Sequence, residues 1–196
     1  MAAQCEPESE FEVIHVAVYQ HPSLSYEPVG RWGHISAVIQ DRQYTINGTC
    51  EALASRPPPT MVEILDIIPN WQQKATSGQT PPGTLFAACI AMDSYIYHFG
   101  GHDEKAYYNT IHCLDTKRLI WREIQASNPS EAPMAKYGTG IVSLSSNVLV
   151  IVAGYGMLPD DHCPDAEYTP DPHPQRKGQG WTNELHCFHV DSSELC

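Results

Sequence analysis

A spacing of about fifty residues runs through this chain and constrains its fold more than any single motif. Trp71 and Trp121 lie 50 residues apart, Gly48 and Gly101 lie 53 apart, and Gly101 and Gly154 again 53. A fixed period of this length marks a repeat architecture, in which one supersecondary unit recurs and each copy needs neighbours to bury its faces. The unit is clearest over residues 88–124. Ala88–Met92 is a short apolar run ended by Asp93-Ser94, and Tyr95–Phe99 is an aromatic and β-branched run ended by Gly100-Gly101. Residues 109–114 form a third run stopped by Asp115, and residues 119–124 a fourth anchored by Trp121, with Thr116-Lys117-Arg118 as the turn between them. Such runs read as four short strands. The paired glycines let the backbone turn at positive φ against a neighbouring segment, where a Cβ would obstruct.

The same order frames the whole chain. In the first unit residues 33–38 and 44–48 are the first two strands, the second closing on Asn47-Gly48, where asparagine tolerates the left-handed turn. Residues 62–66 are its third strand and Trp71 anchors the fourth; Arg56-Pro57-Pro58-Pro59 lies in a stiff loop between strands two and three. In the third unit residues 138–143, 148–153 and 183–190 are strands, with Ala153-Gly154 at the turn and no tryptophan after Asp191, so this unit is expected to be incomplete. A period near fifty with four strands per unit fits kelch repeats, the blades of a β-propeller. YIYHFGG, NTIHCLD and LIW in the middle unit, with Arg31-Trp32-Gly33-His34 opening the first, resemble a kelch repeat.

The expected fold is therefore all-β, a partial kelch β-propeller of about three four-stranded blades, the last incomplete. Residues 1–11 read as a disordered acidic terminus and 12–30 as a lone strand, over 13–19, with a linker. Residues 31–76, 77–126 and 127–196 are the three repeats. The turn-rich stretches SGQTPPG (77–83) and SNPSEAPMAK (127–136) link one blade to the next. The main irregularity is residues 155–181, a long loop between strands two and three of the third unit. In a four-stranded meander the loops between second and third strands and the links between blades emerge on one side. That side is the expected binding face.

Charge and composition narrow the partners. A formal net charge of −12 with only 11 Lys and Arg argues against wholesale phosphate binding, and hence against nucleic acid. No 18-residue apolar run or signal-like start is present, so no membrane span is expected and the reading is intracellular, cytoplasmic or nuclear. The seven cysteines show no CxxC spacing, and Cys89, Cys113 and Cys187 sit within strand patterns as small hydrophobes rather than in a disulfide framework.

No catalytic anchor is visible: there is no GxSxG, no phosphate-cradling glycine loop and no ordered nucleophile–base pattern, so neither an enzyme nor a cofactor is expected. Asp160, Asp161, His162, Cys163, Asp165, Glu167, Asp171 and His173 offer metal-type side chains, but in no recognised ligand spacing. His98 and His102 flank the glycine turn, and His112 and His186 occupy equivalent third-strand positions, as packing residues would. Tyr155 and Trp181 bracket the long loop, where aromatic side chains serve either as binding anchors or to pack the loop down.

AGYGMLPDD followed by HPQRKGQGWTNELHCF in the third unit resembles the kelch-domain substrate receptors of cullin-RING ubiquitin ligases, which bind the free C-termini of proteins ending in glycine. The resemblance implies that Lys136, Tyr155 and Trp181 line a peptide pocket, with the carboxylate-gripping arginines of that family in later repeats. It implies a protein or peptide partner, C-terminal degrons among them. Two other readings stay open: a generic kelch scaffold without a peptide pocket, and a metal-dependent kelch enzyme. An open arc of blades is further expected to self-associate through its uncovered edges.

Overall fold

The computed structural model describes residues 30–49, 61–66, 70–103, 105–125, 132–159 and 168–190. The expected strand at 13–19, the proline loop at 56–59, residues 160–167 and Cys5, Cys50, Cys163 and Cys196 lie outside them.

The described residues form three sheets in chain order, antiparallel but for one two-residue edge strand. The first contains β1 (Ile35–Ile39), β2 (Arg42–Ile46), β3 (Met61–Asp66) and β4 (Asn70–Ala75), each paired with the next. The second contains β5 (Ser77–Gly78), β6 (Ala88–Met92), β7 (Tyr95–Phe99), β8 (Ile111–Asp115) and β9 (Ile120–Ile124). Here β6 to β9 make a four-stranded meander, and β5 lies parallel to β9 at the edge. In the third, β12 (Val148–Met157) pairs with β14 (Gln179–His189) on one side and with β10 (Lys136–Tyr137) and β11 (Gly140–Ser145) on the other, and β13 (Tyr168–Pro170) lies outside β14. The chain is all-β and the sheets are blades of a partial propeller.

The turns follow from the residues that make them. Asp93 begins the β6–β7 hairpin at φ 53°, and Asp115 closes β8 by accepting the N–H groups of Lys117 and Arg118 at 2.9 and 3.0 Å. Gly100 and Gly101 stand at φ 63° and 90°, and a Cβ on Gly100 would lie 2.5 Å from the Lys136 carbonyl oxygen. The equivalent pairs Asn47-Gly48 and Ala153-Gly154 also adopt positive φ.

The core lies in the two seams between blades. Ile35, Ala37, Ile39, Tyr44, Ile46, Val62 and Ile64 of the first blade meet Ile96, Leu114 and Trp121 of the second. On the other face of the second blade, Tyr97, Phe99, Ile111 and Cys113 meet Leu149, Ile151 and Val190. The β7 run YIYHF is buried from Ile96 onward because its alternate side chains fill opposite seams. Each buried Ile, Leu or Phe contributes about 1.5–3 kcal/mol relative to exposure. Backbone bonds repeat across both seams. Gly48 N donates to Thr84 O and Gly101 N to Lys136 O; Phe86 N donates to Gly33 O and Gly138 N to Phe86 O.

Two expectations need correction. Residues 155–181 are not one loop, because β12 and β14 run on as a ladder to the Met157–Gln179 pair. A bulge between Val152 and Gly154 absorbs the turn that ends β7 in the second blade, so the strand bends and continues. The outer edge of the third blade is thereby partly supplied from within that stretch, where β13 pairs with Thr182, Trp181 and Gly180. Cys187 is exposed rather than packed, whereas Cys113 is buried and Cys89 half-buried; all three are free thiols. The two tryptophans hold the expected equivalent register, opposite Leu65 and Leu114; Trp121 thereby fills the first seam, while Trp71 lies on the outer side of the first blade and is only half-buried.

Candidate functional site: an aromatic surface on the loop side

The described parts of the loops and links converge as the meander geometry requires. Leu85 and His102 exchange backbone bonds, Tyr108 O accepts from Lys136 N, and Met157 N donates to Ala135 O. The three sequence-derived residues are brought together there. Tyr155 and Trp181 are direct cross-strand partners with ring centroids 5.1 Å apart, edge to face, and Lys136 pairs with Gly156 one residue along β12.

Their environments differ sharply. Lys136 is wholly buried, and its Nζ donates to Glu184 Oε2 at 3.0 Å. Burial lowers its pKa, and Glu184 pulls it part of the way back. Glu184 is itself held below its ordinary value: burial raises it, but hydrogen bonds from Tyr168 and Lys136 outweigh that. Tyr155 is buried, its hydroxyl donating to Asp171 Oδ2 at 2.7 Å; burial first and this bond second push its pKa up to about 12. Trp181 remains 46% exposed.

Sequence reasoning missed most of the surface around these residues. Tyr137 stacks on Tyr107 at 5.7 Å and 9°, meets Tyr155 at 5.5 Å and His102 at 4.6 Å, and lies 6.0 Å from Phe86, which in turn lies 5.7 Å from Trp32. A continuous run of rings thus crosses all three blades from Trp32 to Trp181. The period carried part of the signal: Trp32 and Tyr137 occupy one repeat position, where the second blade has the buried Leu85 and sets its ring, Phe86, one residue later. Beside Tyr107 and Gln179 an open hollow of about 510 Å³ is bordered by Asp103, Lys105, Ala106 and Met157.

Among the described residues the remaining candidates form no single cluster. His98 and His112 are buried in the first seam, whereas His102 lies on the aromatic surface. Asp171 serves Tyr155 and Arg176, and His173 accepts from Gln175 N. Among the described residues no group of three His, Cys, Asp or Glu side chains is placed to hold a metal ion, and no helix is long and apolar enough to cross a membrane.

A family described as the KLHDC2/KLHL20/DRC7 Kelch-repeats domain matches residues 11–154 and 61–194. The chain belongs to the kelch-repeat family. Kelch domain-containing protein 2 of Bos taurus and of Homo sapiens are each 24% identical over 133 residues, which cover 63% of this chain and 31% of theirs. An Arabidopsis thaliana tRNA wybutosine-synthesizing protein 2/3/4 is 26% identical over 104 residues, 53% of this chain and 10% of its own length. The chain thus matches about a third of the length of the first two relatives.

Proposed function

We propose that this kelch module holds an extended peptide on its loop side, the end of the peptide packing on Trp181 above Tyr155, and that it serves substrate recognition for a ubiquitin ligase. The observation that carries the reading is the half-exposed Trp181 at the end of the ring surface, packed edge to face on a Tyr155 that is buried and fixed by its hydrogen bond to Asp171, the setting in which aromatic side chains anchor partners. Kelch architecture and a surface of rings, rather than a cluster of acid–base groups, support binding over catalysis.

Lys136 shapes this surface through Glu184. With its charge opposed by that carboxylate, it adds little attraction for a peptide C-terminus, so a free carboxylate is held weakly. The outer faces of the first and third blades, on this reading, take a further blade, which a second copy of the 196-residue chain can supply.

Titration with glycine-terminated peptides tests the binding claim. The expected result is weak binding that is lost on Trp181→Ala and reduced when the peptide C-terminus is amidated. Partner binding unchanged by Trp181→Ala would instead favour a scaffold contacted elsewhere.

A further inference from the structure

Phe86 stands where the other two blades have glycine. Gly33, Phe86 and Gly138 enter their blades at φ 67°, 53° and 62°, and the same backbone bonds join them across the seams. The position needs positive φ and no side chain. A non-glycine residue there is strained by its Cβ, yet the ring is 42% exposed, so burial explains little of its presence. Its neighbour Trp32 is 44% exposed, whereas Trp121 in the first seam is almost wholly buried. Two half-exposed rings 5.7 Å apart at the first-blade end of the ring surface mirror Trp181 at the other end.

We infer that Trp32 and Phe86 form a second subsite, which takes the cationic side chain of an arginine or lysine upstream of the peptide end held by Trp181. This rests on the peptide-binding reading above. Aromatic faces attract cations, most strongly tryptophan, and a planar guanidinium stacks on them. The chain's net charge of −12 steers basic partners toward it. The adjacent Arg31 directs its guanidinium to Asn47 O and Glu63. From Trp32 through Phe86, Tyr137 and Tyr155 to Trp181 the steps are 5.7, 6.0, 5.5 and 5.1 Å. An extended chain covering about 3.3 Å per residue crosses that path in no more than about seven residues.

The test uses the 196-residue chain and three labelled heptapeptides ending in a glycine with free carboxylate, differing only in Arg, Gln or Leu at the first position. The Arg peptide is expected to bind about three- to thirtyfold more tightly than the Gln peptide. Phe86→Gly, which relieves the backbone and so keeps the fold, should erase that preference; Trp32→Ala should act in the same direction. A Leu peptide that binds as tightly as the Arg peptide, or an Arg preference that survives both variants, overturns the subsite. If Trp181→Ala abolishes binding of the Gln peptide while Phe86→Gly and Trp32→Ala change nothing, the peptide-binding reading stands and this inference alone falls. No binding of any peptide overturns both.

Discussion

The ammonium of Lys136 lies 3.0 Å from Glu184 Oε2, with the lysine side chain wholly out of water. The two residues are 48 positions apart and meet only when β10 and β14 flank β12, so the pair reports on assembly of the third blade. Removing one partner leaves a charge in a poorly solvated place, at a cost of about 3–5 kcal/mol, whereas replacing both is often nearly neutral. Lys136→Met is therefore expected to cost about 3 kcal/mol in urea denaturation, near the lower end because Glu184 also holds Tyr168. The double variant Lys136→Met/Glu184→Gln should recover more than half of that loss. Additive single effects would show that the two side chains are not coupled.

Gly156 and Gly138 make a contrast in what a glycine is for. Gly138 sits at φ 62° with nothing within 4 Å of the place a methyl would take, so Gly138→Ala meets only backbone strain, about 1–2 kcal/mol. At Gly156 a Cβ would run into the Ala135 carbonyl oxygen and come within 2.8 Å of Lys136 Cα, both backbone atoms that cannot swing aside. Gly156→Ala is expected to cost about 3 kcal/mol or more and to loosen β10 from β12. Denaturation midpoints for the two variants check the order; equal losses would show that the strands part easily at this point.

His98 makes the fold acid-sensitive. Burial first, and the neighbouring His112 second, lower its pKa to about 3, and its Nε2 lies 3.4 Å from Asn47 Nδ2 and 3.3 Å from Thr84 Oγ1. An unfolded histidine titrates near 6.5, so between that value and about 3 the unfolded chain binds more protons and stability falls as the pH drops. At pH 5.5 the loss from His98 is about 1.4 kcal/mol relative to neutral pH. His112, also lowered chiefly by burial, adds in the same direction. The depressed carboxylates Glu184 and Asp171 lose their contributions only at lower pH. Unfolding free energies measured at pH 7.5 and 5.5 should show this fall, and His98→Gln should flatten it. A pH-independent wild type would mean that His98 is protonated inside the fold.

What the sequence made legible was whatever is local or periodic. The β6–β7 hairpin, the Gly100-Gly101 turn and the Asp115 stop each lie within a few residues of the strands they shape, and the period near fifty located the blades. The extension of β12 and β14 was not legible because Ala153-Gly154, which resembles the strand-ending pair of the second blade, is here a bulge within a continuing strand. The candidate site was legible in three residues only. Tyr155 and Trp181 frame a recognisable segment, but the rings of Trp32, Phe86, His102 and Tyr137 come from three repeats, and only blade packing sets them side by side. The burial of Lys136 on Glu184 had no signal either, since a lone lysine in a link reads as a surface charge.

The outer blades carry the last expectation. Each inner seam joins the apolar face of one sheet to that of the next, and the outermost faces continue the pattern without a partner among the described residues. Val38, 62% exposed, lies with Leu65 and Trp71 on the outer side of the first blade. Leu144 and Leu185, exposed by 70% and 63%, project from the third, with Val142 beside them. Apolar sheet faces left in water drive association. A third-blade face of one chain set against the first-blade face of another repeats the packing already present twice within the molecule. The 196-residue chain is therefore expected to sediment as an oligomer at micromolar concentration. Leu144→Lys combined with Leu185→Glu, which places charges on that face without touching either inner seam, should shift it toward monomer. A wild-type chain that sediments as a single monomeric species and melts cooperatively would show that these faces are covered from within the same chain.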